Sequence, residues 1–180
     1  MTNIGYEFLF CCETLCSVSM PGMKSLGKIR GSFIVGSVFL DHVDIDGMSS
    51  VKSIGFGFMK NNVFGSLKIN GMSSLTAIGE RFLYNSNFLW KVELNDMGLV
   101  TTIDGEFMAK CPMLSHLDLT AMKRLKTVES TGFLRDCDCV NWVDFSGLTE
   151  LQPFECMGEM LEVGTDIPGK LYFEQIRDDE

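Results

Sequence analysis

"IGERFLYNSNFLWKVEL", residues 78–94, contains apolar residues at two different spacings. Toward its end, Val92 and Leu94 alternate with charged residues, and this period of two predicts a short strand with one buried face. Its beginning does not alternate. Phe82 is followed four positions later by the small residue Ser86, a spacing that predicts one helical or 3₁₀ turn. One stretch therefore predicts a strand and a compact turn.

The same pattern recurs about every 25 residues along the chain. An aliphatic residue opens each unit, namely Ile4, Ile29, Ile54, Ile78, Ile103 and Val128. A phenylalanine follows after four positions, or five in the last unit, giving Phe8, Phe33, Phe58, Phe82, Phe107 and Phe133. Only 14 of the 180 residues are Phe, so six in register are not chance. A single coil cannot bury such residues, but stacked coils can, which predicts a solenoid.

Methionine forms another column of the repeat. It comprises Met23, Met48, Met72, Met97 and Met122, with Leu148 in the sixth unit. Because Met fills irregular gaps in apolar interiors, we interpret this column as core rather than as a metal or substrate site.

These residues resemble leucine-rich repeats, and the unit is closest to the BspA-like branch, whose pattern is roughly I-G-x-x-A-F-x-x-C-x-x-L-x-x-I-x-I. Residues 78–94 align with that pattern over all 17 positions without a gap. The chain departs from it consistently, because Phe replaces Ala and an aliphatic residue replaces Phe. Two extra residues also follow each strand, and the family's Pro survives only as Pro21.

The resemblance implies an α/β fold, a right-handed leucine-rich-repeat solenoid of about six coils of 24–26 residues. Short parallel strands would form the concave face, and short helical or 3₁₀ turns the convex side. Residues 1–153 are predicted to form the array, with units starting near 4, 29, 54, 78, 103 and 128, and residues 154–180 a degenerate C-terminal coil that caps the open end. The first unit has no polar cap. A fragment of a longer repeat protein is the favoured explanation, and pairing with another molecule or fraying stay open.

The chain is acidic, with 24 Asp and Glu against 15 Lys and Arg and a net charge of −9. This balance argues against nucleic acid and anionic membrane surfaces as partners. It leaves basic proteins or cations, unless the charge serves only solubility. No apolar run approaches the roughly 20 residues that span a bilayer. The first 20 residues have no basic region and are interrupted by Glu7 and Glu13, so they make a poor signal peptide.

Outward-facing positions of the predicted strands carry both tryptophans and both histidines of the chain. The predicted partner-binding residues are His42, Asp44, Lys68, Trp90, Lys91, Glu93, His116, Asp118, Trp142 and Asp144. Trp90 and Trp142 are two rungs apart, on the order of 10 Å, and are predicted to form one aromatic patch. Alternatively, the rings only pack over neighbouring side chains. The predicted partner is a protein with basic residues and an apolar anchor.

Catalysis is not predicted, although His42 lies near Asp44 and His116 near Asp118. Three rungs, roughly 14 Å, separate the two histidines, so one metal ion cannot bridge them. Neighbouring residues on a strand splay apart, so Ser115 is not expected to meet His116, and an open sheet offers no pocket that excludes water. The sequence has no G-x-G-x-x-G, P-loop or HExxH motif. No cofactor or metal site is predicted.

The predicted function is a non-enzymatic protein–protein interaction module that binds through the concave strand face. The alternative is a structural repeat segment of a longer cell-surface, adhesion or receptor protein whose binding lies elsewhere. The sequence leaves the localisation open. The resemblance adds the cell surface as a location if the chain is a fragment.

The seven cysteines are odd in number and form no CxxC pair, which favours free thiols over a disulfide framework. Cys137 falls in a column of small residues with Cys12, Ser37, Asn62, Ser86 and Cys111, where the BspA-like pattern has its own Cys. Cys139 falls in the column of Phe39, Val63, Phe88 and Met113, and is predicted to pack in the core. A disulfide between Cys111 and Cys137 stays open for an oxidising compartment.

Overall fold

The computed structural model describes residues 2–156, 159–161 and 170–172. The chain winds into a parallel β-solenoid of about six coils, as the repeat predicts. Each coil contributes a strand of two residues and then a strand of three or four residues. We number the coils 1 to 6 from the N-terminus.

The two-residue strands form the short-strand face, a six-stranded parallel sheet in chain order. They are β1 (Asn3–Ile4), β3 (Lys28–Ile29), β5 (Ser53–Ile54), β7 (Ala77–Ile78), β9 (Thr102–Ile103) and β11 (Thr127–Val128). The aliphatic residue that opens each repeat unit is the second residue of its strand and is buried. Stacking in register therefore joins these side chains into one continuous apolar column.

The longer strands form the long-strand face on another side of each coil. They are β2 (Ser17–Ser19), β4 (His42–Asp44), β6 (Ser66–Ile69), β8 (Lys91–Leu94), β10 (His116–Asp118) and β12 (Trp142–Asp144). Parallel pairs form between β2 and β4, β6 and β8, and β10 and β12, while β4 lies beside β6 and β8 beside β10. In β8 the side chains of Val92 and Leu94 are buried and those of Lys91 and Glu93 are not, which confirms the period of two.

Three further strands follow coil 6. They are β13 (Phe154–Cys156), β14 (Glu159–Leu161) and β15 (Lys170–Tyr172). The first two pair with each other, and β15 pairs with β12, in both cases antiparallel, so the parallel series ends at β12. The predicted cap over residues 154–180 lies mostly outside the described residues and stays a prediction.

The turn after each short strand is not helical, and the predictions of an α/β fold and of helical or 3₁₀ turns are wrong. None of the described residues is in a helix. In coil 4, φ is positive at Arg81, Leu83 and Asn85, at 58°, 55° and 54°. Their N–H groups donate to the carbonyls of Gly105, Phe58 and Ala109 at 2.8–2.9 Å. A helix needs consecutive negative φ values and bonds within the segment, whereas these alternate residues hydrogen-bond to the neighbouring coils.

The phenylalanine column forms the centre of the core. Rings from Phe8 to Phe133 stack coil on coil, with centroids 5.1–5.6 Å apart and planes within 10° of parallel. The Met residues of coils 2 to 5 are fully buried, which confirms their interpretation as core. The interior is therefore a set of parallel columns, each made of similar residues that recur along the axis.

The small-residue column is also buried, and it carries the polar groups of the core. Ser37, Asn62, Ser86, Cys111 and Cys137 are each at most 1% exposed. Asn62 donates from Nδ2 to the carbonyls of Ile34 at 2.7 Å and Met59 at 2.9 Å. Its Oδ1 accepts the N–H of Ser37 at 2.9 Å. One side chain thus satisfies three backbone groups inside the turn.

An ion-pair cluster crosses the turns of coils 4 to 6. Glu106, whose side chain is only 12% exposed, accepts hydrogen bonds from Arg81 Nε and from Arg135 Nη2, the latter at 2.6 Å. The hydrogen bond from Arg81, together with the charges of both arginines and the bond from Arg135, lowers the pKa of Glu106 against the opposing effect of desolvation. The carboxylate therefore joins three coils.

Replacing Glu106 by Gln is expected to lower the free energy of unfolding at pH 7 by about 1–2 kcal/mol, because charge-assisted hydrogen bonds are lost. A lowered folded-state pKa stabilises the protein above the unfolded pKa, and this contribution disappears as pH falls through the folded value. Wild type and variant should therefore converge in acid. Urea unfolding at a series of pH values measures this difference. Glu80→Gln, at an exposed partner of Arg81, is the control and should change stability much less. A Glu106→Gln difference that stays constant with pH would contradict the assignment.

Candidate functional site

A groove of about 300 Å³ crosses β8, β10 and β12 on the long-strand face. Its lining includes five of the ten predicted partner-binding residues, which are Lys91, Glu93, His116, Asp118 and Trp142. They come from three coils, and parallel register sets them side by side. The solenoid thus gathers into one groove residues that are up to 51 positions apart in sequence.

An aromatic stack forms one part of the groove. The rings of His116 and Trp142 lie 4.8 Å apart and within 15° of parallel. Ser115 Oγ lies 3.0 Å from His116 Nδ1 and 3.4 Å from the carbonyl oxygen of Trp90. The expectation that Ser115 splays away from His116 is wrong, because Ser115 precedes β10 and is not held to strand alternation. The imidazole is fixed by this hydrogen bond and by the stack, and so forms a preorganised surface.

Of the two carboxylates that line the groove, Glu93 is in ion pairs and Asp118 is in none of those within residues 2–156. Glu93 lies 2.8 Å from Lys91 Nζ and 3.5 Å from Lys68 Nζ, and the hydrogen bond from Lys91 is the main cause that lowers the pKa of Glu93. Asp118 is exposed and accepts the N–H of Thr120 at 2.8 Å. Among residues 2–156 it forms no ion pair. Asp118 is therefore a carboxylate available to an incoming cation.

Other predicted residues lie on the same face but do not line the groove. Asp144 is paired in register with Asp118, yet it is 8% exposed and its Oδ1 accepts the N–H of Ser146 at 2.9 Å. His42 and Asp44 belong to β4, two coils before β8. Asp44 accepts hydrogen bonds from Ser19 Oγ at 3.4 Å and from a backbone N–H. The ten residues therefore do not form one continuous site.

The two tryptophans contact different neighbours. Trp90 is 51% exposed and lies against Gly65, where a Cβ atom would come within 2.8 Å of the indole Nε1. Trp142 is half-buried against His116. Glycine at position 65 thus provides the space for the Trp90 ring. Each ring packs on an adjacent coil, and half of Trp90 remains in water.

An exposed apolar ridge, which the sequence analysis assigned to the core, runs along the turns before the long strands. Phe39, Phe88 and Met113 are 65%, 56% and 48% exposed, and Cys139 is exposed as well. The prediction that this column packs inside is wrong. The next residue in each coil, such as Leu89 after Phe88, is buried, so at this place in the coil the two adjacent side chains face opposite ways. Adjacent apolar residues do not by themselves predict this outcome, because Phe82 and Leu83 in the earlier turn of coil 4 are both fully buried.

No protein-family model, curated protein or solved structure matches this chain at a significant level. Within the described part of the chain, no group of three or more His, Cys, Asp or Glu residues is placed to hold a metal ion. The same residues include no helix long and apolar enough to cross a membrane.

Proposed function

We propose that this chain is a non-enzymatic protein-interaction module that binds a basic segment of a partner protein in the groove on the long-strand face. We assign the repeat to the leucine-rich-repeat class, closest to the BspA-like branch, because residues 78–94 align with that pattern without a gap and the small-residue column falls where the pattern has its Cys. Solenoids of this kind bind partners on an extended face of parallel strands.

The observation that carries the proposal is the position of Asp118 beside the His116–Trp142 stack. A Lys or Arg side chain entering the groove would place its aliphatic stem against the aromatic rings. Its charged end would reach the Asp118 carboxylate. The face of a Trp ring also attracts cations through its ring electrons. The rings are already stacked, so little conformational entropy is lost on binding.

Apolar contact beyond the groove comes from Trp90 and the exposed ridge. Trp90 directly precedes β8, and Phe88 lies two residues earlier in the same coil. Aromatic and Met side chains at partly exposed positions are typical of the energetically dominant residues of interfaces. The proposed partner segment therefore combines a basic side chain with an apolar anchor.

A displayed library of random peptides, selected on the intact chain, tests the proposal. We expect the selected peptides to be enriched in Arg or Lys next to a large apolar residue. Asp118→Asn should weaken their binding at least about tenfold, because it removes the charge while its side-chain oxygen still accepts the Thr120 N–H. Trp142→Ala should weaken binding to a similar extent.

Tyr6→Ala is the matched control, because Tyr6 is an exposed aromatic residue in the turn after β1, away from the groove. It should leave peptide affinity unchanged, and circular dichroism should show that all three variants keep the fold. Peptides that lack basic residues, or that bind Asp118→Asn as tightly as wild type, would exclude this groove as the binding site.

A further inference from the structure

Cys111 and Cys137 lie opposite each other on neighbouring coils. Hydrogen bonds from the N–H of Lys110 to the carbonyl of Arg135 at 2.7 Å, and from Cys139 to Pro112 at 3.2 Å, bracket the two cysteines and fix their register. Backbone segments paired in this way lie about 4.8 Å apart. Disulfide-bonded cysteines have their Cα atoms roughly 4.4–6.8 Å apart, so the spacing of the coils is compatible with a disulfide. Both side chains belong to the small-residue column and point into the same turn.

Both thiols are held in place inside that turn. Cys111 is 0% and Cys137 1% exposed, and each is a free thiol. The Cys111 thiol donates to the Leu83 carbonyl at 3.2 Å, and the Cys137 thiol to the Met108 carbonyl at 3.0 Å. Each carbonyl belongs to the preceding coil, so the two sulfur atoms are oriented in the same way.

The two thiols also influence each other's ionisation. The neighbouring Cys137 thiol lowers the pKa of Cys111, while the neighbouring Cys111 thiol together with burial raises the pKa of Cys137. Cys111 is thus the better thiolate of the pair, and thiolates are the species that exchange with disulfides. Cys137 in turn lines a cavity of about 350 Å³ that is bounded also by Arg135 and Asp138. Because both thiols are at most 1% exposed, a small reagent reaches them through local opening of this part of the chain.

Cys11, Cys12, Cys16 and Cys139 lack this arrangement. Cys12 occupies the same column in coil 1, but its neighbour in coil 2 is Ser37. Cys11, Cys16 and Cys139 are exposed. Within residues 2–156, two consecutive cysteines in the buried small-residue column occur only in coils 5 and 6.

We propose that Cys111 and Cys137 form an oxidisable dithiol site, which a low-molecular-weight disulfide such as glutathione disulfide converts into a covalent link between coils 5 and 6. The two protein thiols are oxidised to one S–S bond. The S–S bond of the reagent is broken and reduced, and the two thiol protons leave on the two released thiol molecules. The product closes a loop that spans both coils and restricts their separation. This site is independent of the proposed binding groove.

The test uses the intact native chain incubated with excess glutathione disulfide, quenched in acid, alkylated after unfolding and digested without reductant. We expect mass spectrometry to find the peptides of Cys111 and Cys137 joined, with a combined mass two hydrogens below the reduced pair. The exposed cysteines should carry glutathione instead. Recovery of Cys111 and Cys137 as alkylated thiols, or linked mainly to other cysteines, would overturn the proposal.

Stability provides a second readout. Oxidation should raise the urea midpoint of the wild type and of Cys139→Ser, because both keep the pair. It should not raise the midpoint of Cys111→Ser or Cys137→Ser, and the column accommodates serine, as Ser37 and Ser86 demonstrate. An equal rise in the two single variants would show that the stabilisation arises elsewhere, and no rise in the wild type would show that the link does not restrain the coils.

Discussion

Phe82→Ala is expected to lower the free energy of unfolding by about 3–5 kcal/mol, since truncating a buried Phe loses its transfer energy and leaves a cavity. The ring is fully buried between Phe58 and Phe107, with centroids 5.1 and 5.3 Å away. Both neighbours are themselves held by the next rings of the column, so the gap cannot close by a small shift. Loss of two stacking contacts adds to the cost.

Urea denaturation followed by tryptophan fluorescence measures this effect. Phe88→Ala is the matched control, because Phe88 is in the same coil but 56% exposed, and it should change stability by less than about 1 kcal/mol. Similar losses for the two variants would contradict the assignment of Phe82 to the core and Phe88 to the ridge.

Asn62→Ala should lower the free energy of unfolding by about 2–4 kcal/mol. The substitution removes three buried hydrogen bonds, each of which contributes about 0.5–1.5 kcal/mol. The carbonyls of Ile34 and Met59 and the N–H of Ser37 would remain in the turn without a partner. A buried backbone group left unpaired costs more than the hydrogen bond contributes. The effect should appear in the same urea experiment.

Ser86→Ala is the contrasting substitution in the same column. Ser86 is fully buried, and its Oγ has no hydrogen-bond partner among the described residues. Removing this hydroxyl should leave stability unchanged or raise it by up to about 1 kcal/mol. Equal destabilisation by Asn62→Ala and Ser86→Ala would mean that the column depends on volume rather than on the hydrogen bonds of Asn62.

The core could be predicted from the sequence because apolar residues recur with a fixed period. Columns of Ile, Phe and Met need no knowledge of the backbone path, since any stacked coil must bury a residue that recurs every turn. The alternation in "KVEL", residues 91–94, likewise assigned the sides of β8 correctly. These inferences depend on burial alone.

The turns could not be predicted in the same way. A Phe followed by a small residue is compatible with a helical turn, and nothing local to Arg81 or Leu83 indicates positive φ. The energetic cost of positive φ at these residues is offset by hydrogen bonds to the coils on either side. Those hydrogen bonds exist only after the coils have stacked. A second turn further along the coil places Phe88 outside and Leu89 inside, so which of two adjacent apolar residues is buried depended on the backbone path.

The sequence by itself determined that this chain is a repeat of about six coils, that the Ile, Phe and Met columns form its core and that the residues of β8 alternate between core and surface, because burial recurs with a fixed period along the chain. Only the tertiary structure decided how those outward residues group. It placed Trp142 on His116, Trp90 on Gly65, and Asp118 in the groove without an ion-pair partner among residues 2–156. Register between coils fixes these contacts, and register is set by hydrogen bonds between residues about 25 positions apart.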